Sequence, residues 1–260
     1  MAVNVPVFPL KHSSTDIISP QAVLEDWALQ NRFDPANWHA KAAILVYDRP
    51  LHRRLLELHD LQVLDFGAPG SYHSIGATQG RVLLAGDFGI GAPVAAVVAE
   101  TLIASGVNQI VSVGTAGGLQ TDLSPGQIIS IHGAIRDDGT SYHYLPSDVA
   151  VRPDAQLTAR LEASFGDALG RRGSVWTTDA PFRETVAELR FHRDAGVLAV
   201  EMEAAALMAV CELRGVAFAS SVCISDVLSE QGWRALFSEA SVREALHTMY
   251  SAAVTTLTEA

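Results

Sequence analysis

Short apolar runs alternate with stretches of helical periodicity along most of this chain. Runs rich in valine, isoleucine, leucine and alanine predict buried strands at residues 42–47, 81–85, 109–113, 127–131, 175–177, 196–200 and 216–224. Helical patterns predict helices at residues 94–104, 153–165, 203–213 and 241–257. Because strands and helices alternate, we expect an α/β fold in which helices flank a central, twisted, mostly parallel or mixed sheet.

The chain of 260 residues shows no internal repeat and no low-complexity linker, so we expect one domain over residues 1–260. Its beginning differs from the rest, because four prolines between positions 6 and 35 interrupt any long element there. We therefore expect an irregular N-terminal segment at residues 1–40, followed by the α/β core.

Two glycine-rich stretches follow predicted strands, at residues 86–93 and 114–118. A glycine loop at a strand end exposes backbone N–H groups, and a helix that begins there adds the positive end of its dipole. Such a loop suits a phosphate or the edge of a base or sugar. Taken singly, however, each stretch is more often a tight turn than a ligand site.

Carboxylates cluster where two predicted strands end. Glu201 and Glu203 flank Met202 where a strand passes into a helix, and Asp226 follows Ser225 after the next long apolar run. Open α/β proteins place their chemistry at strand ends, where carboxylates can hold the hydroxyl pair of a sugar. A structural alternative stays open, because a glutamate in the first turn of a helix also complements the helix dipole.

Charge and composition exclude several classes of partner. The formal net charge is −11 without basic clustering, which argues against a nucleic-acid or anionic-membrane surface. No apolar run reaches the roughly 18 residues of a membrane span and no secretory signal is visible, so we expect a cytoplasmic protein. Cys211 and Cys223 lie in apolar runs, so we expect buried thiols. The histidines and cysteines do not occur at the spacing of metal ligands, so we expect no metal site.

Four motifs stand in order along the chain. They are Gly89-Ile90-Gly91-Ala92-Pro93, Val113-Gly114-Thr115-Ala116-Gly117-Gly118-Leu119, Val200-Glu201-Met202-Glu203-Ala204-Ala205-Ala206 and Ile224-Ser225-Asp226. With the segment 136–143, they make the chain from about residue 42 to residue 257 resemble the nucleoside phosphorylase family. The relevant type is that of uridine phosphorylase and hexameric purine nucleoside phosphorylase, whose fold also includes the methylthioadenosine/adenosylhomocysteine nucleosidases.

The resemblance implies a nucleoside phosphorylase-like fold and a small-molecule nucleoside as the ligand. It implies no metal or organic cofactor. It also implies a homo-oligomer, either a dimer or a hexamer built as a trimer of dimers.

Roles for individual residues follow from the same resemblance. At the sugar, Glu203 and Met202 match residues that hold the ribose, and Glu201 belongs to the same motif and helps to shape the site. His12 matches a histidine that reaches the 5′ end of the sugar in a neighbouring subunit, although a solvent-facing His12 is equally compatible with the sequence. At the base, the resemblance implies contacts from Phe182, Ala116 and Gly117.

Asp226, with Ser225 beside it, matches the acid that protonates a purine ring nitrogen as the glycosidic bond breaks. A positioned acid of this kind typically contributes 10²–10⁴-fold in rate. The Ser-Asp pair favours a purine over a pyrimidine. Arg234, eight residues further on, could pair with Asp226 and hold it ionised, or it could be solvated.

The stretch after the first strand departs from the family's Gly-Asp-Pro-x-Arg motif. Asp48 stands where the family has glycine, His52 stands where it has arginine, and Ser112 replaces a second arginine that binds phosphate. Two charge-assisted contacts to phosphate are therefore missing. Thr115 and Gly114 match the anion site and remain. Three arginines are close enough in sequence to compensate if the loop is rebuilt, although each could be an ordinary surface residue: Arg49, Arg53 and Arg54.

Three hypotheses follow from these observations. In the first, which the family favours, phosphate is the co-substrate and attacks the sugar. In the second, water attacks, and a neutral His52 acts as the base. In the third, the chain binds a nucleoside without turning it over.

Overall fold

The computed structural model describes residues 7–31, 39–58, 61–64 and 68–259. Within these ranges the strands are β1 (Ala42–Val46), β2 (Leu61–Leu64), β3 (Ser71–Ile75), β4 (Val82–Gly86), β5 (Gln109–Gly118), β6 (Ile128–Asp137), β7 (Leu169–Thr178), β8 (Ala199–Glu201), β9 (Ala217–Ser229) and β10 (Gly232–Ala235). The α-helices are α1 (Pro20–Asn31), α2 (Arg49–Leu58), α3 (Ala92–Ala104), α4 (Ser141–Tyr144), α5 (Ala155–Phe165), α6 (Val186–Asp194), α7 (Ala204–Arg214) and α8 (Ala240–Thr258).

All ten of these strands belong to one mixed sheet, in the order β10-β9-β6-β7-β8-β5-β1-β4-β3-β2. Since β9 also pairs with β5, the strands β5, β9, β6, β7 and β8 close on themselves. The pairs β5 with β9, β6 with β7 and β7 with β8 are parallel, whereas β6 with β9 and β5 with β8 are antiparallel. The sheet thus has a closed part, the ring, and an open part, the wing, which consists of β1, β4, β3 and β2. The wing joins the ring at β5, which pairs with β1.

Helices cover both faces of the wing. In β1, Ala43 and Leu45 pack into the cluster that includes α3 and α7, and Ile44 and Val46 pack into the cluster that includes α5 and α8. A strand buried on both faces needs an apolar residue at every position, which is the reason for its continuous apolar run. The predicted α/β architecture, with a mixed sheet flanked by helices, is confirmed.

Most predicted elements are present, with shifted ends. The helix α3 carries a proline in its first turn, and Gly215 closes α7 in the left-handed region with φ 67°. Both cysteines are buried and unpaired.

The second glycine stretch is not a loop, which corrects the sequence interpretation. β5 runs straight through Gly118. Its glycines instead allow neighbouring side chains to lie close to the backbone of the strand. A Cβ on Gly114 would lie 3.0 Å from the Tyr47 ring, and one on Gly117 would lie 2.4 Å from Leu228. The missing side chains let neighbouring strands and rings pack against the backbone of β5.

Asp226 lies inside a strand and does not end one. β9 continues to Ser229 and then turns into β10, so the apolar run 217–224 is only its first half. The register between β5 and β9 shifts at this point, because Ala116 lies opposite Ile224 while the next residue, Gly117, lies opposite Asp226. The extra residue is Ser225, and a bulge of this kind re-aims the side chain that follows it.

The N-terminal segment is less irregular than expected. Residues 11–13 form one 3₁₀ turn and Pro20 begins a helix of 12 residues, because proline is compatible with the first turn of a helix. Residues 1–6 and 32–38 of the predicted segment lie outside the described residues. Across the part of the chain that the structure describes, no helix has the length and apolar character to span a membrane.

Candidate active site

A cavity of about 570 Å³ opens beside β5, β8 and β9. The structure brings eight of the residues singled out in the sequence to its wall: Thr115, Ala116, Gly117, Phe182, Glu201, Met202, Glu203 and Asp226. Gly117 lies at the centre of this arrangement, since Val200 of β8 pairs with it on one side and Asp226 of β9 on the other. The closed ring of strands therefore unites motifs that are far apart in sequence.

The Glu201 carboxylate is buried and fully engaged. One oxygen accepts a hydrogen bond from the Thr177 hydroxyl, and the other accepts from the backbone N–H groups of Glu203 and Ala204 at 2.8 and 2.7 Å. The Thr177 hydroxyl oxygen in turn accepts from the N–H of Ala205 at 3.1 Å. Glu201 therefore accepts from the backbone N–H groups at the start of α7, which is the structural role considered for a glutamate at the beginning of a helix.

Glu203 points the other way, into the cavity. Its carboxylate accepts a hydrogen bond from the N–H of Gly91 in the glycine loop before α3, and the residue is 7% exposed. Burial raises the pKa of the Glu203 carboxyl, and the nearby Glu201 raises it further. The N–H that the glycine loop exposes is thus used on a carboxylate of the protein itself.

Asp226 is held by two donors. The Ser225 hydroxyl donates to one oxygen and the Trp233 indole N–H donates to the other, both at 2.8 Å. Arg234, the partner considered from the sequence, lies on the same short strand opposite Val227 and forms no ion pair with Asp226. Trp233 was missed because its approach depends on the β9–β10 hairpin, which carries no clear pattern in the sequence.

Beyond Asp226 the cavity is aromatic and apolar. Phe182 and Trp233 stand at its rim, 99% and 63% exposed, and Leu228 lies below them. Glu184 also lines this end, and it belongs to none of the motifs singled out in the sequence. Burial raises the pKa of Glu184 to about 7, and the charge of Asp226 contributes to the rise.

Three residues expected in the anion site do not reach the cavity. Gly114 lies behind the Tyr47 ring, and Arg49 pairs with Asp87 at 2.8 Å. His52 is buried beneath Gly86, with its ring centroid 5.7 Å from that of His73. The expected placement of these three residues beside Thr115 is therefore corrected.

The other departures from the family motif also have local roles. The Asp48 carboxylate accepts from the N–H of Leu51 at 2.6 Å and caps α2, and the Ser112 hydroxyl donates to Ser220 at 2.7 Å. His12 lies on the exposed surface, where its Nε2 is 2.9 Å from the carbonyl oxygen of Tyr142. Its reach into a neighbouring subunit stays a prediction.

Tyr47, which the sequence did not single out as a site residue, belongs to the cavity wall. Its ring meets Phe88 edge-on at 5.4 Å and lines the cavity at the end of β1. Its hydroxyl is buried near Ser112 but makes no hydrogen bond of ordinary geometry with a described residue. Burial, followed by the charges of Glu203 and Glu201, raises the pKa of Tyr47 well above its usual value, so the phenol keeps its proton.

The ionisable side chains of the cavity wall are acidic, apart from the Tyr47 phenol. Its lining among the described residues contains four carboxylates, Glu184, Glu201, Glu203 and Asp226, and no lysine, arginine or histidine. Such a wall favours a ligand with N–H and O–H donors or with developing positive charge, and it disfavours an anion.

Comparison with known proteins places these features in a context. A model of the family described as the Phosphorylase superfamily matches residues 42–258. A guanosine phosphorylase from Halorubrum lacusprofundi is 33% identical over 140 residues, which cover 53% of this chain and 58% of that protein. A uridine phosphorylase from Treponema pallidum is 37% identical over 141 residues, which cover 49% and 55%. The chain therefore matches little more than half the length of these curated relatives.

A solved structure of AMP nucleosidase from Bacteroides thetaiotaomicron superposes with a TM-score of 0.71 at 20% identity. The superposition covers 90% of this chain and 96% of that chain. At this level of identity the likeness shows the fold alone.

Gly117→Ala tests the close packing at the centre of the cavity. A Cβ there would lie 2.4 Å from Leu228 and 2.9 Å from the Asp226 carboxylate, so we expect a loss of roughly 1–3 kcal/mol in the free energy of unfolding. The matched control is Gly118→Ala, whose Cβ would lie at ordinary contact, 3.4 Å from Ile224. Denaturant unfolding measures both, and equal losses in the two variants would contradict the packing argument.

Glu184→Gln tests the raised pKa of that carboxyl. Folding favours the protonated form, so the ionised carboxylate costs stability, and the cost grows as the pH rises from the usual 4.5 to about 7. At pH 8 we expect the variant to be more stable than the parent by roughly 1–2 kcal/mol, after allowance for screening at the cavity mouth. The difference should vanish near pH 4.5, and a difference that does not change with pH would refute the assignment.

Proposed function

We propose that this chain, which belongs to the phosphorylase superfamily, cleaves the N-glycosidic bond of a purine nucleoside with water as the attacking group. The observation that carries the choice of water is the cavity wall, which combines four carboxylates with no cation among the described residues. Purine nucleoside as the substrate class rests on the Ser225-Asp226 pair and on the aromatic end of the cavity.

The sugar is proposed to lie over Met202 and against Glu203. Breaking the N-glycosidic bond builds positive charge on the sugar, and a carboxylate close to it stabilises that charge in a site that excludes water. The Gly91 N–H donates to one oxygen of Glu203, and the carboxyl keeps further acceptor capacity for a ligand. The sugar hydroxyls can supply the donors that a buried carboxylate requires.

The base is proposed to lie between Phe182 and Trp233, with Asp226 beside its five-membered ring. Cleavage leaves an electron pair on the base, and this pair must be taken up by a proton. Asp226 is placed to pass that proton to a ring nitrogen, and the water that attacks the sugar releases one. The net reaction adds OH to the sugar and H to the base, so atoms and charge balance.

Phosphate would fit this wall poorly. A dianion would meet no lysine, arginine or histidine on this wall among the described residues, and buried anions normally require cations or arrays of N–H donors. The loop that carries Gly91 gives its N–H to Glu203, and Arg49 is paired at a distance from the cavity. An uncharged water molecule incurs none of this cost.

Tyr47 is proposed to position that water. Its ring lines the cavity together with Thr115 and Glu203, and its buried hydroxyl, near Ser112, makes no hydrogen bond of ordinary geometry with a described residue. A water molecule placed between the phenol and Glu203 would satisfy both groups. This places the nucleophile on the sugar side of the cavity and replaces the earlier suggestion of His52 as the base.

Phosphorolysis is the second candidate, and the similarity to a guanosine phosphorylase and a uridine phosphorylase favours it. It would require cations that reach the cavity from a second copy of the chain. We further propose that the protein is a cytoplasmic homo-oligomer, either a dimer or a hexamer, that works without a metal or organic cofactor.

An oxygen-isotope experiment separates the two reactions. Guanosine, inosine, adenosine and uridine are incubated with the protein in ¹⁸O-labelled water, with and without phosphate. We expect free purine base at the same rate in both conditions, with the label in free ribose. Ribose 1-phosphate formed only when phosphate is present would establish phosphorolysis instead. Binding of a nucleoside with no base released would establish the non-catalytic alternative.

Glu203→Gln and Tyr47→Phe test the sugar side of the cavity. Glu203→Gln removes the carboxyl that can become an anion beside the cationic sugar, so kcat/KM should fall by roughly 10²–10³-fold, because that stabilisation acts mainly in the transition state. Tyr47→Phe should lower kcat and leave KM nearly unchanged. The control is Glu212→Gln, on the exposed side of α7, which should behave like the parent. Full hydrolytic activity in Tyr47→Phe would overturn the proposed role of the phenol.

A further inference from the structure

Two separate segments of the chain form the aromatic end of the cavity. One is the 3₁₀ turn Pro181–Arg183 with the start of α6, and it carries Phe182. The other is the β9–β10 hairpin, which carries Trp233. The proposed function places the base between these two rings, so the distance between the two segments sets the width of the slot that receives the base.

The tip of the hairpin has little packing to hold it in place. All four residues of β10 are exposed, and among the described strands β10 pairs with β9 alone at the edge of the sheet. Leu228, near the root of the hairpin, packs against the cluster that contains Leu189 of α6. Beyond it the chain turns through Glu230 and Gln231 and returns at Gly232. Burial therefore fixes the root of the hairpin and leaves the tip to other interactions.

Ion pairs connect this tip to α6. One carboxylate oxygen of Glu230 accepts from Nη2 of Arg190 at 2.5 Å, and the other accepts from Nη2 of Arg193 at 3.0 Å. The two arginines are three positions apart and are therefore neighbours on the surface of one helix. Hydrogen bonds from Arg190 and then from Arg193 lower the pKa of the Glu230 carboxyl to about 2, so it is ionised at neutral pH. These three side chains form a clasp between the hairpin and α6.

The helix side of the clasp is firmly anchored. The Gln120 side-chain amide donates to the carbonyl oxygens of Arg193 and Val197, at 3.0 and 2.7 Å, which ties the end of α6 to the segment after β5. His192, between the two arginines, is buried and stacks on the Trp176 ring with 4.5 Å between the centroids. The end of α6 is thus the fixed side of the clasp, and loss of the ion pairs would release the hairpin tip.

We propose that Glu230 is a positioning residue for the base, because its ion pairs with Arg190 and Arg193 hold the hairpin at the distance from α6 that the base requires. This inference rests on the proposed function, in which the base lies between Phe182 and Trp233. Glu230 does not line the cavity, so its effect reaches the base through the hairpin.

The hairpin also contains the hydrogen bond to the proposed acid. The Trp233 indole N–H donates to Asp226 at 2.8 Å, and both residues belong to the paired strands β9 and β10. Because donor and acceptor lie on the same hairpin, a movement of its tip should change the binding of the base more than the transfer of the proton. The clasp should therefore affect KM more than kcat.

Hydrogen exchange tests the clasp without any need for activity. In Glu230→Gln the backbone N–H groups of β10 should exchange roughly 3- to 10-fold faster than in the parent, because the tip opens more often when exposed ion pairs are lost. The matched control is Asp122→Asn, which removes the exposed ion pair of Asp122 with Arg171 at 2.8 Å, and neither residue lines the cavity. Exchange in β10 should be unchanged in the control. Equal exchange in Glu230→Gln and the parent would overturn the inference.

Steady-state kinetics with guanosine, inosine and adenosine test the effect on the base. We expect Glu230→Gln to raise KM roughly 3- to 10-fold and to leave kcat nearly unchanged, since looser binding of the base acts on ground state and transition state alike. Exchanging the charges, in a variant that combines Glu230→Arg with Arg190→Glu and Arg193→Glu, should restore the KM of the parent. A loss of side-chain packing alone would not be rescued in this way.

Salt provides a second measurement on the same proteins. The clasp is partly exposed, and at about 1 M salt the Debye length falls to about 3 Å, so the ion pairs are weakened. The KM of the parent and of Asp122→Asn should then rise towards that of Glu230→Gln, whose KM should respond less to salt. Identical salt responses in all three proteins would contradict the role of the clasp.

The outcomes separate the clasp from the proposed function. Faster exchange in β10 with an unchanged KM for every nucleoside would show that Glu230 holds the hairpin without positioning the base, and would refute the inference. If the parent releases no base from any nucleoside, the proposed function fails by itself. Calorimetric binding of guanosine, inosine and adenosine to the parent and to Glu230→Gln then decides the inference, and equal affinities or no binding to either protein would refute it.

Discussion

A buried carboxylate with three donors organises the functional half of this molecule. Ionised groups are costly to bury unless hydrogen bonds replace the lost water, and Glu201 meets this condition by accepting from Thr177, Glu203 and Ala204. These donors come from β7 and from the first turn of α7, while Glu201 itself ends β8. One side chain therefore fixes the angle between two strands and a helix, and this angle aims the side chains of the two residues that follow Glu201.

The same arrangement gives the two motif glutamates different tasks. Because Glu201 occupies the first N–H groups of α7, Glu203 accepts instead from the N–H of Gly91 in the loop before α3. The cavity holds more carboxyl groups than its donors can balance, and the pKa values of Glu203 and Glu184 are raised. Under the proposed function, such a wall favours a sugar that becomes cationic in the transition state. Stability lost in the free protein is thereby available for recognition.

The sequence predicts those parts of the fold that depend on local pattern. Continuous apolar runs give β1, β4 and the start of β9, because a strand buried on both faces needs an apolar residue at each position. It fails where the reason for a residue lies in another segment. The sequence around Gly117 predicts a turn, and only the structure shows that Leu228 and Asp226 pack against this glycine. Glu184 and Trp233 line the cavity only because a turn and a hairpin bring them to the same place. The motifs that line the cavity could be found because each is a contiguous stretch of sequence. The residues that contact them were missed because those residues are scattered along the chain.

The departures from the family motif form one consistent change. Under the proposed reaction with water, the end of β1 does not have to admit an anion, and the Tyr47 ring packs there against Phe88 and Gly114. Burial first, and then the charges of Glu203 and Glu201, raise the pKa of Tyr47, so the phenol stays neutral. The absence of arginine at positions 52 and 112, the Tyr47 ring at the end of β1 and the carboxyl groups on the sugar side therefore support one proposal, in which the cationic sugar is stabilised and water completes the reaction.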